Sequence, residues 1–294
     1  MSTEGRSLRL AIVADIHHGP DAPPKLGSRA LGLLNEVIDE INERAPDLVV
    51  DLGDRINDVG KEDDERLLAE VADAFSRLRV PVRHLLGNHD VARLSIDTTE
   101  SLLGATLDHQ SLELNDWHLV FWQVNSAFRG GDGLQIDESD FLWLQEELAV
   151  TDRPTVVFTH APLDNGPMVG NYYFEPMPPQ FSGYANAERA RRLMERSTTS
   201  VAVAGHVHWN SARTIHGIHY LTVQSLSECF TTYPEPARAW AELTLGERVS
   251  LDVHGTDEMR VQLTPRRGSS QWLTRNTRPS EWVTVGTSRR RGNG

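Results

Sequence analysis

The sequence predicts an α/β protein in which a parallel sheet wound with helices packs against a second sheet. Buried β-branched runs alternate with helix-forming segments up to residue 86. Short runs of alternating polarity follow residue 210, as antiparallel strands require. Side chains of metal-binding type follow five of the apolar runs. Because ligands bind beyond the carboxyl ends of strands in open α/β sheets, these strand ends mark the predicted site.

The first part of the chain has a β-α-β-α-β pattern. The apolar runs Leu10–Ala14, Leu48–Leu52 and Val82–Leu86 predict three strands. Apolar residues at helical spacing predict helices over residues 31–41 and 67–78, each ended before a proline. Since crossovers between parallel strands are right-handed, the three strand ends should share one edge.

The middle of the chain predicts a hairpin, a helix and a further strand. The hairpin joins residues 111–114 to residues 118–124, and the helix includes Phe141, Leu144 and Leu148. The strand Thr155–Thr159 leads into a long irregular segment, residues 161–184, whose prolines and glycines exclude regular structure. Long loops in compact domains are usually functional or disordered, and its start beside a metal-ligand candidate favours a substrate lid.

A helix over residues 187–194 and a fifth strand, Val201–Ala204, follow this segment. The later runs of alternating polarity predict antiparallel strands at Ala212–Ile215, Ile218–Val223, Ala239–Leu245 and Val249–Val253. We expect these strands to form the second sheet.

Length and composition describe a globular protein that can bury a full core, with 294 residues of which 39% are hydrophobic. No apolar run approaches the roughly 20 residues that span a bilayer. Residues 1–7 lack the apolar core of a signal peptide. The single cysteine, Cys229, fits a reducing compartment. We therefore expect a cytoplasmic protein without a membrane segment.

A net charge of −13 disfavours nucleic acid as a partner. The arginine-rich tail, densest at residues 289–291, is the one feature that favours a DNA-repair nuclease. The simplest interpretation of that tail is a solvated segment. A binding tail or a subunit contact, including a homodimer, is the alternative.

Seven candidate metal ligands follow the five apolar runs. They are Asp15, His17, Asp54, Asn88, His160, His206 and His208. Because alternate residues of a strand point the same way, Asp15 with His17 and His206 with His208 are predicted to act as bidentate pairs. Seven ligands exceed what one metal needs, so we predict two metals that share a bridging carboxylate, with Asp54 as the bridge.

A sulfur-free two-metal site generates hydroxide near neutral pH and favours hydrolysis of a phosphate ester or anhydride. His89 adjoins the ligand Asn88 but should point away from it along an extended backbone. We predict that His89 protonates the leaving group or holds a phosphate oxygen, with Asp90 orienting it.

The ordered motifs Asp-x-His, Gly-Asp, Gly-Asn-His-Asp, a lone His and Gly-His-x-His resemble those of the calcineurin-like metallophosphoesterase superfamily, over about residues 8–255. The resemblance implies a four-layer α/β/β/α sandwich with two mixed β-sheets. It implies one metal held by Asp15, His17, Asp54 and His208, and a second held by Asp54, Asn88, His160 and His206. His89 would lie beside the substrate phosphate. Manganese, iron and zinc all suit such ligands.

The layout most resembles the bacterial cyclic-nucleotide phosphodiesterase branch of that superfamily. We therefore predict a phosphodiesterase of small, nucleotide-like substrates, with the catalytic domain over residues 1–263. The extension, residues 264–294, has a composition typical of partly disordered segments. Phosphomonoesterases and nucleotide-diphosphate pyrophosphatases would carry the same ligands. A non-catalytic interaction scaffold is the remote alternative, since such a protein would lack ligands that are all present here.

Four further residues are candidates for substrate contact. Arg55 could bind substrate phosphate or form a surface salt bridge to the acidic run at residues 62–65. His18 could line the pocket or lie in the core. Tyr172 and Tyr173, with Phe174, could stack on a nucleobase, pack on the second sheet or form a subunit interface.

Overall fold

The protein, described over residues 7–266 by a computed structural model, contains two six-stranded sheets and five α-helices. The helices are α1 (Gly27–Arg44), α2 (Lys61–Ser76), α3 (Ile96–Leu103), α4 (Glu138–Glu147) and α5 (Ala187–Glu195). The first six strands are β1 (Leu8–Val13), β2 (Leu48–Asp51), β3 (Val82–His84), β4 (Gln110–Leu114), β5 (Trp117–Phe121) and β6 (Thr155–Phe158). The others are β7 (Thr199–Ala204), β8 (Ser211–Ile215), β9 (Ile218–Thr222), β10 (Trp240–Leu245), β11 (Val249–His254) and β12 (Met259–Leu263).

Both sheets are mixed. The first has the order β12-β11-β10-β1-β2-β3, and the second has the order β4-β5-β6-β7-β9-β8. In the first sheet β1, β2 and β3 are parallel, and β10 pairs antiparallel with β1. In the second sheet β5, β6, β7 and β9 are parallel, and β4 and β8 are antiparallel edge strands.

The prediction that the strands after residue 210 form the second sheet by themselves is wrong. The strands β8 and β9 extend the sheet that contains β6 and β7, whereas β10, β11 and β12 complete the first sheet. Alternating polarity shows that one face of a strand is buried, but pairing partners distant in sequence are chosen by tertiary packing.

Three hydrophobic clusters hold the four layers together, one between the sheets and one under each pair of helices. Leu10, Ile12 and Val50 of the first sheet pack against Val156 and Phe158 of the second in one buried cluster. Helices α1 and α2 cover the outer face of the first sheet, and α4 and α5 cover the outer face of the second. The predicted α/β/β/α sandwich is therefore confirmed.

Helix ends follow local signals. Helix α1 ends where Ala45, before Pro46, takes a left-handed conformation with φ of 46°. Helix α3 was not predicted, because only eight residues form it. Its caps were nevertheless readable: the Ser95 side chain accepts a hydrogen bond from the Thr98 N–H, and Gly104 ends the helix with φ of 63°.

The extension at residues 264–294 lies, apart from residues 264–266, outside the described residues. The predicted boundary at residue 263 and the tail at residues 289–291 therefore stay predictions. Among residues 7–266, no helix has the length and apolar character needed to cross a membrane.

Candidate metal centre

Five of the seven predicted ligands lie in left-handed conformation on turns directly beyond the strands. Asp15, His17, Asp54, His206 and His208 have φ values of 51°, 53°, 56°, 67° and 56°. Non-glycine residues rarely adopt this region, and when they do so the surrounding structure must hold them there. Five such residues in one place indicate a site whose backbone is arranged for side-chain placement.

Two glycines allow the turns after β2 and β3 to touch. A Cβ atom on Gly53, which has φ of 96°, would lie 2.3 Å from the Gly87 nitrogen. A Cβ atom on Gly87 would lie 2.1 Å from Oδ1 of Asp54. Because neither position has room for a side chain, the Gly-Asp and Gly-Asn pairs bring Asp54 and Asn88 to one point.

The second sheet supplies the remaining ligands by direct contact with the first. The His206 N–H donates to the Asp15 carboxylate at 2.9 Å. His160 Nδ1 lies 2.8 Å from the carbonyl oxygen of Leu52, at the end of β2. The five predicted strand ends therefore belong to two sheets, and the site forms where those sheets meet.

One group of side chains lies nearest β1. Asp15, His17, Asp54 and His208 each offer a ligand atom, and these atoms lie within 4.8 Å of one another. The Nε2 atoms of His17 and His208 are 2.9 Å apart. His17 Nε2 is 3.8 Å from Oδ2 of Asp54, and His208 Nε2 is 3.8 Å from Oδ1 of Asp15.

A second group lies on the other side of Asp54. Asp54, His160 and His206 also offer ligand atoms that lie within 4.8 Å of one another. His160 Nε2 is 3.4 Å from Oδ2 of Asp54 and 3.2 Å from Oδ1 of Asn88. Asn88 thus adjoins this group, and Asp54 belongs to both.

Of the two predicted bidentate pairs, only Asp15 with His17 lies in one group of ligands. Asp15 and His17 do face one group, but His206 and His208 face different groups. The reason given for the pairs is also wrong, because β1 ends at Val13 and β7 ends at Ala204. Left-handed turns, and not strand alternation, direct these four side chains.

Three of the four candidate histidine ligands are oriented by a hydrogen bond to one ring nitrogen, as metal-binding histidines usually are. His160 Nδ1 hydrogen-bonds to the Leu52 carbonyl, His206 Nε2 to the Phe181 carbonyl at 2.8 Å, and His208 Nδ1 to Oε2 of Glu228 at 3.0 Å. An acceptor on one ring nitrogen favours the tautomer whose other nitrogen carries a lone pair. The second nitrogen, Nε2, lies 3.4 Å from Asp54 in His160 and 3.8 Å from Asp15 in His208, so the donor set fits divalent cations.

The electrostatics of the centre favour bound cations as well. Burial raises the pKa of Asp15 to about 6, even though His208 and His160 oppose the shift. Burial would also raise the pKa of Asp54, but the charges of His160 and His89 hold it well below its usual range. Burial of His160 is outweighed by Asp54, which raises the pKa of that histidine to about 9. Two buried carboxylates close together are stable as anions only when positive charge lies beside them, because burial of an unpaired charge is costly.

His89 lies at the edge of the first group. Its ring packs edge-on against His17 at 4.7 Å between centroids, and its Nδ1 lies 2.6 Å from Oδ1 of Asp58. Burial would lower the pKa of His89, but the charge of Asp54 and the hydrogen bond to Asp58 together raise it. Asp58 and His17 therefore hold the His89 ring beside the centre.

The prediction that Asp90 orients His89 is wrong. The Asp90 carboxylate accepts hydrogen bonds from the backbone N–H groups of Asp54, Arg55 and Gly87 at 2.9–3.0 Å. Asp90 therefore fixes the turns that carry Asp54 and Asn88, and Asp58 is the partner of His89.

Both alternatives for Arg55 are wrong. Its side chain is 0% exposed, and its guanidinium contacts Asp51 at 2.6 Å, Asp90 at 2.7 Å and the carbonyl of Leu85 at 2.7 Å. The guanidinium lies beneath the ligand turns, where it reaches neither substrate nor the acidic run at residues 62–65. Sequence reasoning missed that its neighbours Asp51 and Asp90 supply two buried carboxylates.

Of the two alternatives for His18, the structure supports a position in the core. It is 8% exposed, and its Nε2 lies 2.6 Å from Oε2 of Glu70 on α2. Its backbone bridges to Ile56, which ties the first ligand turn to the second.

The two tyrosines have different surroundings. Tyr173 donates its hydroxyl to Oε2 of Glu228 at 2.8 Å, the same oxygen that pairs with His208. Tyr172 is 60% exposed and lies 6.2 Å from Phe230 in a stacked arrangement. Tyr173 thus supports a ligand, and only Tyr172 has a free face.

Two residues of this network were missed. Asp58 follows Asp54 by four residues, so a search for carboxylates beside the Gly-Asp motif could have found it. Glu228 lies 20 residues after its partner His208, in a stretch with no recognisable signature. No sequence pattern would have found it.

Comparison with known families identifies one match. The model of the calcineurin-like phosphoesterase family matches residues 8–210. This range includes all seven candidate ligands. Comparison with curated proteins gave no match.

Several solved structures share the fold. A dimetal phosphatase from Danio rerio has a TM-score of 0.70 and 16% identity, covering 88% of this chain and 99% of its own. A purple acid phosphatase from yellow lupin (Lupinus luteus) has a TM-score of 0.65 and 13% identity over 93% of this chain, which spans 58% of that protein. GAP50, described as the anchor in the inner membrane complex of Plasmodium, has a TM-score of 0.60 and 13% identity, covering 89% and 90% of the two chains. At these identities the likeness is one of fold.

Proposed function

The chain belongs to the calcineurin-like phosphoesterase family, and we propose that it is a two-metal phosphodiesterase of small, nucleotide-like substrates. One observation carries the proposal: two groups of buried side chains share the carboxylate of Asp54. Metal-dependent hydrolysis of phosphoesters follows from the family and from this cluster. The diester preference is the finer part of the proposal.

Each metal would have its own ligands. Asp15, His17, Asp54 and His208 would hold one, and Asp54, Asn88, His160 and His206 would hold the other. When bound, divalent cations supply Lewis acidity and a hydroxide source near neutral pH. Manganese, iron and zinc are all compatible with these nitrogen and oxygen donors.

The protein's own contribution to the reaction is a positioned acid. His89 donates from Nδ1 to Asp58 and packs edge-on against His17, which leaves Nε2 as the ring nitrogen available to a leaving group. The pKa of His89 is raised because the charge of Asp54 and the hydrogen bond to Asp58 outweigh burial, and a raised pKa favours the protonated, donating form. A proton donor at this point can protonate a departing alkoxide.

Aromatic rings on two sides of the centre support a diester substrate. Phe174 and Phe128 lie 5.1 Å and 6.1 Å from the His206 ring, between centroids. On the other side, Tyr172 and Phe230 form a pair next to Tyr173. A diester carries two organic groups, and two apolar surfaces can accept both. The resemblance to the cyclic-nucleotide phosphodiesterase branch agrees with this choice.

Three alternatives share parts of this evidence. A phosphomonoesterase or a nucleotide-diphosphate pyrophosphatase would need the same ligands. A non-catalytic scaffold is a third alternative, since a protein described as an anchor shares the fold. Intact ligand groups count against the scaffold, because a protein that binds no metal has no need for them.

The deciding experiment combines metal analysis with a substrate panel on one sample. Protein stripped of metal is reloaded with manganese, iron or zinc and assayed on an aryl phosphodiester, an aryl phosphomonoester, cyclic nucleotides and sugar-nucleotide diphosphates. We expect two metals per chain and the highest kcat/KM on diesters. Asp54→Asn should lose both metal and activity, whereas Asp63→Asn, on the exposed start of α2, should lose neither. Activity confined to monoesters would overturn the diester proposal, and a protein without metal would favour the scaffold.

The remaining expectations about partners stay predictions. A small phosphoester is the proposed substrate, and nucleic acid is disfavoured by the net charge of −13. The cytoplasmic location and a homodimer rest on the sequence alone.

A further inference from the structure

Lys25 lies on a segment that packs against the first ligand turn. Its backbone N–H and carbonyl pair with those of Ala22 at 2.9 Å and 3.0 Å, and its backbone also bridges to Glu228. Two residues later, a Cβ atom on Gly27 would lie 2.8 Å from the carbonyl oxygen of His17. The segment therefore has a fixed position directly beside the centre.

Among residues 7–266, the ammonium group of Lys25 lies near carboxylates but pairs with none of them. Within residues 7–266 its side chain makes no ion pair within 4.0 Å and no hydrogen bond. Its charge nevertheless interacts with those of Asp15, Asp54, Asp58 and Glu228. Lys25 is half-buried, so it is a cation held at the centre whose ammonium has no hydrogen-bond partner in the described part of the chain.

The other cations close to the centre are already engaged. Arg55 is buried between Asp51 and Asp90. Arg93 donates to the carbonyl of Asp58 at 3.0 Å. Lys25 is one of only two lysines in the chain, the second being Lys61 at the exposed start of α2.

We propose that Lys25 is a substrate-binding residue whose ammonium donates a hydrogen bond to a non-bridging oxygen of the substrate phosphoryl group, on the side of the centre next to His17 and His89. This inference rests on the proposed phosphoesterase function. A lysine ammonium binds phosphate as a compact positive charge with three N–H donors. The segment of Lys25 packs against the His17 carbonyl at Gly27, and the His89 ring packs against the His17 ring at 4.7 Å, so Lys25 and His89 would contact the phosphoryl group from outside the metal ligands.

Amine acylation with inorganic phosphate as the probe tests the contact directly. Metal-loaded protein is treated with an acetylating active ester, with and without saturating phosphate, and acetylation at both lysines is quantified by mass spectrometry. We expect phosphate to slow acetylation of Lys25 at least fivefold and to leave Lys61, the internal control, unchanged. Equal acetylation of Lys25 in both samples would overturn the inference.

Variants give a second, independent measurement. Lys25→Met keeps the length of the side chain and removes the charge, so the inhibition constant of inorganic phosphate should rise about tenfold. Lys25→Arg should recover part of the loss, and Lys61→Met should have no effect. Metal content of all three should match that of the wild type, since Lys25 is no ligand.

The two proposals fail separately. If the wild type hydrolyses phosphoesters but the Lys25→Met inhibition constant is unchanged, the role of Lys25 is wrong and the proposed function stands. If phosphate protects Lys25 while no phosphoester in the panel is hydrolysed, the anion site stands and the proposed function is wrong.

Discussion

Asp54 shows how one side chain can serve two groups of ligands. Its Oδ1 accepts a hydrogen bond from the His89 N–H at 2.8 Å, which fixes the carboxylate. Its Oδ2 is then left 3.8 Å from His17 Nε2 and 3.4 Å from His160 Nε2, so a single oxygen faces both groups. Asp90 supports this geometry by accepting the N–H of Asp54 at 3.0 Å.

His89 and Asp58 should act as a unit in proton transfer. His89→Gln should lower kcat by about 10²–10⁴-fold on a diester with an alkyl leaving group, because that alkoxide needs a proton. The loss should be far smaller with a 4-nitrophenolate leaving group. Kinetics on the two substrates measure the difference. His216→Gln, at the exposed turn after β8, is the matched control.

Asp58→Asn should shift the pH dependence. Asp58 helps to raise the pKa of His89, so its removal should lower that pKa. The alkaline limb of the kcat profile, where the acid loses its proton, should therefore move to lower pH. An unchanged alkaline limb would count against His89 as the acid.

Arg55 should matter for stability and not for substrate binding. Arg55→Met leaves Asp51 and Asp90 as uncompensated buried carboxylates, so the free energy of unfolding should fall by about 3–5 kcal/mol. Urea denaturation measures this loss. Arg66→Met removes an exposed pair with Glu70 and should leave the midpoint nearly unchanged. A stable Arg55→Met protein with a raised KM would restore the phosphate-contact hypothesis.

At the scale of elements, the segment at residues 161–184 belongs to the centre. The Asn171 side chain donates to the carbonyl of Val207 at 2.8 Å, and the carbonyl of Phe181 accepts from His206. Tyr173 reaches Glu228 from the same segment. The predicted lid is thus fastened to the turn after β7, and its conformation and the geometry of two ligands depend on each other.

Tyr173→Phe should weaken metal binding through Glu228. The substitution keeps the ring but removes the hydroxyl that holds the partner of His208, and the loss of such an outer contact typically costs about 10–100-fold in metal affinity. Competition with a chelator measures the change. Tyr172→Phe is the control, because the Tyr172 side chain is 60% exposed. Equal affinities in both variants would contradict a positioning role for Tyr173.

At the scale of the whole molecule, the centre lies on the seam between the two sheets. The first sheet provides Asp15, His17, Asp54 and Asn88 beyond β1, β2 and β3, and the second provides the three remaining histidines beyond β6 and β7. The core between the sheets holds both sets of turns in place. Metal binding and overall stability should therefore be coupled.

The metal-free protein should lose stability as pH rises. His160 has a folded pKa of about 9, raised from 6.5 by Asp54 against the effect of burial. A group whose pKa is higher in the folded state stabilises that state fully when the pH is below its pKa in the unfolded chain. This stabilisation is lost as the pH rises through its pKa in the folded protein. The free energy of unfolding should thus fall between about pH 7 and pH 9.5.

Urea denaturation of metal-free protein at these two pH values tests the effect. His160→Gln should flatten the dependence, and loading with metal should also suppress it, because a ligated imidazole carries no exchangeable proton at the ligating nitrogen. A metal-free wild type that is equally stable at both pH values would contradict the assignment.

Sequence alone could predict most elements and the identity of the candidate ligands. Apolar periodicity located α1, α2 and the strands from β1 to β7, because burial of one face leaves a local pattern. The same local signals failed for the eight-residue helix α3 and for the partners of β10 and β11. Arg55 was misplaced for a similar reason, since a charged residue is expected at the surface unless its buried partners are known.

The class of chemistry can be read from the order of residues, because Asp, Asn and His at successive strand ends form a ligand set wherever the strands run parallel. The division of that set into two groups depends on the three-dimensional packing. Left-handed turns direct His206 and His208 to different groups, Asp58 contacts His89, and Glu228 contacts His208. Among residues 7–266, the Lys25 side chain has no ion-pair partner. Those relations join residues across loops and sheets, and contacts of that kind depend on packing that no local pattern encodes.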